Sequence, residues 1–146
     1  MATSTIKQAY GTIASILTTE LNAMANNALV LSAATSLTET NYLECDVEAY
    51  FTFGVAPTNG TGFSVWFLRI IDGTNYEDGG TSVTPSRAPD LVIPARAVAT
   101  AQRVIVQGYV PPGNFKVLIK NDATGQALSA SGHTLKLIPR TFTVVS

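Results

Sequence analysis

Charged residues are scarce in this 146-residue sequence. Asp, Glu, Lys and Arg make up 13% of it, against roughly 25% in ordinary soluble domains. Its surface must therefore be built largely from Thr, Ser, Asn, Gly and Ala. Such a surface can lie against other protein without desolvating many charges. The formal net charge is −1 and the nine basic residues are scattered singly. Binding driven by counterion release needs clustered Lys and Arg, so no direct nucleic-acid partner is expected. One cysteine, Cys45, excludes an intramolecular disulfide framework. It falls in an alternating apolar row and reads as a buried structural thiol.

Long apolar runs are also missing. Asn22, Asn26 and Asn27 interrupt the best one, and no membrane partner is expected. A charged region followed by an apolar core is not found at the N-terminus, so no secretory signal is expected. Asn59-Gly60-Thr61 fits a glycosylation sequon but reads better as a turn.

Residues able to do chemistry are few. The one histidine, His133, has no second His and no acid pair beside it. A general base or a metal ligand needs such partners. The nucleophile-elbow, P-loop and dinucleotide-binding glycine patterns are all absent. The loop DGTNYEDGG places Asp72, Asn75, Glu77 and Asp78 close together, yet without the spacing of a calcium-binding EF-hand. It reads as a solvated hairpin loop. The expectation is a protein that is not an enzyme, with no catalytic residue, no cofactor and no metal.

What the chain does contain is patterned apolar sequence. Ile13, Ile16, Leu17, Leu21 and Met24 make one stripe at helical spacing, which predicts an amphipathic helix over Gly11–Asn27. Thr12 or Ser15 would cap it, and Asn26-Asn27 would end it. Leu29-Val30-Leu31 suits either a helix extension or a strand, and Ser32–Thr40 reads as loop.

Alternation then takes over. Leu43, Cys45, Val47, Ala49, Phe51 and Phe53 share one strand face; Glu44, Asp46, Glu48, Tyr50 and Thr52 share the other. The three carboxylates there repel unless solvated or paired with bases across the strand. They read as the outer face of an edge or near-edge strand, or as a patch for a basic partner. Phe63–Ile71 is apolar on both faces, as in a central strand. Trp66 within it reads as core. Thr81–Thr84, Leu91–Ile93, Ala101–Tyr109, Phe115–Ile119, Thr134–Ile138 and Thr141–Val145 are further strand candidates, and Pro111-Pro112-Gly113-Asn114 is a turn. The expected fold is mainly β: an antiparallel β-sandwich or jelly roll of seven to eight strands with one N-terminal α-helix. Residues 1–40 would form the arm and helix, and residues 41–146 the β-sandwich domain.

Four blocks, in order, carry a family likeness: ILTTELNAMANNALVLSAA, YLECDVEAYF, IIDGTNYEDGG and YVPPGNFKVLIKNDATGQALSASGHTLKL. Together they resemble small virion structural proteins of tailed bacteriophages, of the capsid decoration, or cement, kind. The Pro85–Pro94 stretch and the tail Ile138–Ser146 lie outside the likeness. The resemblance implies a protein made in the host cytoplasm and carried on the capsid surface of the virion. It would bind the outside of the head, bridge neighbouring major capsid protein subunits, and repeat as a homo-oligomer on the lattice. Ile13, Ile16, Leu17, Leu21 and Met24 of the expected helix, with Tyr76 of the polar loop, are the candidate interface residues. The alternatives are a tail, fibre or head–tail component, and a carbohydrate-binding β-sandwich in which Tyr76 or Tyr109 lines a groove.

Overall fold

The computed structural model describes residues 4–37 and 42–145. Residues 1–3 of the expected arm and 38–40 of the expected Ser32–Thr40 loop lie outside the described residues. The chain is mainly β, with two antiparallel sheets. The strands are β1 (Thr5–Tyr10), β2 (Ala14–Leu17), β3 (Leu29–Leu31), β4 (Thr35–Ser36), β5 (Tyr42–Phe51), β6 (Gly62–Arg69), β7 (Leu91–Pro94), β8 (Gln102–Tyr109), β9 (Asn114–Asp122) and β10 (Thr134–Val145). The first sheet runs β1-β10-β5-β8, with β2 also on β10; the second runs β3-β9-β6-β7, with β4 also on β9.

The period-two pattern of β5 survives intact. Cys45, Val47, Ala49 and Phe51 are buried in a single core with Phe63, Val65 and Phe67 of β6 and Phe115, Val117 and Ile119 of β9. The inner faces of both sheets thus share one apolar layer. At one end Phe51 meets Phe53 and Phe63 edge-to-face, with centroids 5.7 Å and 4.9 Å away. The reading of β6 as a central strand also holds. It lies between β9 and β7, and its outward Trp66 and Leu68 join Leu118 in a second buried cluster. The loop after β6 folds back over that cluster, where Trp66 Nε1 donates to Arg87 O at 3.1 Å. Arg87 is itself held by Glu77 and Asp90. Within this loop Thr81–Thr84 forms no strand, only a bridge between Gly80 and Val83.

The N-terminal helix is not there. Among the described residues there is no α-helix, and the expected Gly11–Asn27 segment is β2, a 3-10 turn at Thr19–Leu21, and irregular backbone. Its apolar residues satisfy a helical spacing, but Thr12, Ile13, Ile16, Thr18 and Thr19 are β-branched and favour extended backbone. Pairing of Ala14–Leu17 with Leu135–Leu137 then decides the conformation. Ala23 and Asn27 have φ of 54° and 62°, in the left-handed region that no right-handed helix contains. Ala23 is held there by its N–H, which donates to Ser129 O at 2.8 Å.

The strand count also differs from seven or eight. Ten strands form among the described residues, because the segment read as arm, helix and loop contributes β1 to β4. The two expected C-terminal strands instead run together as β10, straight through Pro139. Proline has no N–H to donate there, but its carbonyl is used: Gly11 N–H donates to it at 2.8 Å.

Candidate functional site

Among the described residues no further layer covers the outer face of the first sheet, which carries a cluster of ion pairs among Glu44, Asp46, Glu48, Arg103 and Arg140. Register places Tyr10, Arg140, Glu44 and Tyr109 in one row across β1, β10, β5 and β8. Asp46, one step along β5, is the hub. It accepts from Arg140 Nη2 at 2.5 Å, from Arg140 Nε at 3.2 Å and from the Tyr10 hydroxyl at 3.1 Å. Glu44 accepts from Gln107 Nε2 at 2.9 Å. Glu48 pairs with Arg103 Nη1 at 2.6 Å, and that guanidinium also lies over the Tyr50 ring. The acidic row is therefore matched by bases on both flanking strands. β5 sits beside the edge strand β8, the near-edge position expected of it.

A groove of about 380 Å³ runs across this face. Ile13, Ile105 and Ile138 provide apolar wall and floor, with Tyr10 at one side and Arg103 at the other. Lys136 lies in it as well, directly opposite Glu48 in register. Because Glu48 is taken by Arg103, Lys136 forms no ion pair among the described residues.

Beyond the groove, β1 and the C-terminal half of β10 continue as a two-stranded ribbon. Thr5–Gln8 pair with Phe142–Val145, and among the described residues neither run has a second strand beside it. Every residue of β1 is exposed. Ile6 is 69% exposed, its register partner Val144 is 67% exposed, and Phe142 lies along the same row. Two strands alone are marginally stable in water, so such a ribbon gains order from whatever it lies against.

The expected interface residues do not form a common stripe. Leu17, Leu21 and Met24 are buried in the chain's own core, and Ile16 packs half-buried against it. Ile13 alone of the five is exposed, at 61%. Tyr76 is half-buried, with the Lys116 ammonium 4.5 Å from its ring centre. The ribbon residues Ile6, Tyr10, Phe142 and Val144 were not singled out from sequence. Phe142 and Val144 alternate with threonines in a recognisable strand, but TIKQAY has no such rhythm to mark its partner.

His133 is buried. Its Nδ1 accepts from the Thr52 N–H at 3.3 Å, which leaves Nε2 to donate to Ser129 O at 2.8 Å. Both ring nitrogens are thereby used in joining the end of β5 to the segment before β10. Cys45 is fully buried, and burial together with neighbouring Asp46 pushes its thiol up to about 12. The carboxylate of Asp72 accepts from the backbone N–H groups of Thr74 and Asn75 and from Asn75 Nδ2. Those bonds hold it down at about 2. No cluster of three or more His, Cys, Asp or Glu side chains suited to a metal ion occurs among the described residues. No helix of the described chain is long and apolar enough to cross a membrane.

The chain matches no family model and no curated protein sequence.

Proposed function

We propose that this chain is a structural virion protein of the bacteriophage capsid-decoration kind. It binds the outside of the head and bridges neighbouring major capsid subunits, stabilising the shell. The observation that carries the reading is the β1–β10 ribbon. It projects apolar side chains from β1 and from the last four residues of β10, which among the described residues pair with each other alone, as a clamp awaiting a partner would. The near-neutral, charge-poor surface supports burial at subunit borders. The strand order supports reading the body as a jelly-roll sandwich. Consecutive strands β2–β3, β5–β6, β7–β8 and β9–β10 each cross from one sheet to the other around a shared core. A rigid body with an extended contact element suits a lattice, where repetition lets each contact be modest.

In this reading the contacts belong to Ile6, Tyr10, Ile13, Phe142 and Val144 rather than to the buried Leu17, Leu21 and Met24. The partner is the major capsid protein, the location is the capsid surface, and neither nucleic acid nor membrane is engaged. The test is co-purification with heads from infected cells, followed by particle imaging. Density for this chain at lattice symmetry positions is the expected result. Finding it on tails alone would replace this reading with the tail or fibre one, and absence from particles would end both.

One observation favours a second reading, a carbohydrate-binding module. Tyr109 stands 77% exposed beside Gln107 and Glu44 on the uncovered sheet face, an aromatic platform with hydrogen-bonding groups at hand. Hits on a glycan array that disappear with Tyr109→Ala would favour it.

A further inference from the structure

The groove on the first sheet and the corner after β6 are complementary, and they lie on different surfaces of the molecule. The groove offers isoleucines and Lys136, which forms no ion pair among the described residues, while the carboxylates in its lining, Asp46 and Glu48, are taken by Arg140 and Arg103. The corner offers the reverse. Ile71 is 98% exposed, the most exposed of the large apolar residues described. Asp72, its neighbour, is held rigidly by the turn formed with Thr74 and Asn75. These bonds use part of the carboxylate's acceptor capacity and leave room for a further donor. They also hold its pKa down at about 2, so that it is ionised at neutral pH.

We propose that the groove receives the Ile71–Asp72 corner of a second copy of this chain. Ile71 seats among Ile13, Ile105 and Ile138, and the Asp72 carboxylate pairs with Lys136. The contact joins two different patches and is therefore head-to-tail. Repeated, it closes into a ring or runs on as a row of subunits. The proposal deepens the structural reading above and rests on it only for the idea of a repeating array. The contact itself is a property of the purified protein, without particles.

Weak head-to-tail contacts are best caught by pairing two single-cysteine variants. Cys45 is buried with its thiol pushed up to about 12 and stays silent. Ile71→Cys and Ile105→Cys proteins, distinguishable by a mass tag, are mixed in equal amounts under mild oxidation. Mixed disulfides are expected in clear excess over the roughly twofold lead on either homodimer that random pairing of equal amounts already gives. Adding Lys136→Glu to the Ile105→Cys protein should cut the mixed product about fivefold, the equivalent of roughly 1 kcal/mol for an ion pair at a surface. Adding Asp72→Lys to the Ile71→Cys protein should then restore it. Should Lys136→Glu lower the melting temperature, Lys136→Gln replaces it for the loss arm. Mixed disulfides no more abundant than chance overturn the proposal, as does a charge swap that fails to restore them. Neither result bears on head binding, and a failure to find the chain on heads leaves this contact standing.

Discussion

Arg140 grips Asp46 with two nitrogens, across the pair of strands that carries the ribbon. Nη2 lies 2.5 Å from Oδ1 and Nε lies 3.2 Å from Oδ2. The same carboxylate accepts from Tyr10 on β1. One side chain on β5 thus holds both strands of the ribbon at their root. Asp46→Ala should cost about 2 kcal/mol in urea unfolding, the scale for losing hydrogen bonds to a charged group. Glu48→Ala, whose partner Arg103 is more than half exposed, should cost under about 1 kcal/mol. Equal costs would mean that Asp46 is no hub.

Asn121 plays the corresponding part in the other sheet. It is fully buried, and its Nδ2 lies 3.1 Å from Ala25 O and 2.8 Å from Gln126 O, to which it donates. Its Oδ1 accepts from Thr124 Oγ1 at 2.6 Å. It ties the irregular Met24–Asn27 stretch to the turn after β9. Asn121→Ala should cost about 3 kcal/mol, since it strands buried carbonyls. The isosteric Asn121→Asp should be at least as damaging, because an acceptor would face those carbonyls. A milder Asp variant in urea melts would count against this account.

These two residues mark the limit of what could be read from sequence. The strands β5, β6 and β9 were legible because burial is periodic along them. Their inner residues meet in the core as the alternation requires. The N-terminal third was misread because its apolar spacing fits a helix, while its conformation is settled by pairing with β10, more than a hundred residues away. Asn121 gave no signal, since a buried amide and a loop amide look alike in a sequence. Of the candidate site, the carboxylate row on β5 was legible. The bases that match it were not, because register across strands is a tertiary property.

Cys45 offers a check on the core. With its thiol buried and pushed up to about 12, it should resist thiol reagents at pH 8 in the native protein and react at once in urea. The native labelling rate then reports opening of the β5 strand. Fast labelling without denaturant would show that the two sheets part readily.

Acid should loosen the loop that covers Trp66. The Arg87 guanidinium hydrogen-bonded to Glu77 holds that carboxyl below its ordinary 4.5. A carboxyl depressed in the folded state contributes stability that is whole above its unfolded value and fades as pH falls through the folded one. The melting-temperature gap between wild type and Glu77→Gln should therefore be constant above about pH 5.5 and narrow steadily below about pH 4.5. A gap that widens on acidification would reverse the sign and remove the Glu77–Arg87 pair as its cause.

The ribbon separates contact from core. Deleting residues 1–9 removes most of β1, whose side chains are all exposed, and spares Tyr10 with its bond to Asp46. The melting temperature should fall by only a few degrees, as for a change of about 1 kcal/mol. Binding to heads should weaken by at least about tenfold, since truncating a contact's apolar anchors costs more than about 1 kcal/mol. Deleting residues 1–27 is a different experiment. It takes away Leu17, Leu21 and Met24, which are core, and should abolish cooperative unfolding, because each buried Leu or Met is worth about 2–5 kcal/mol. Pelleting assays with heads stripped of this protein measure the binding, and calorimetry measures the fold. If the shorter deletion binds heads like the intact chain, the ribbon is not the clamp, and the uncovered sheet face takes its place as the surface to test.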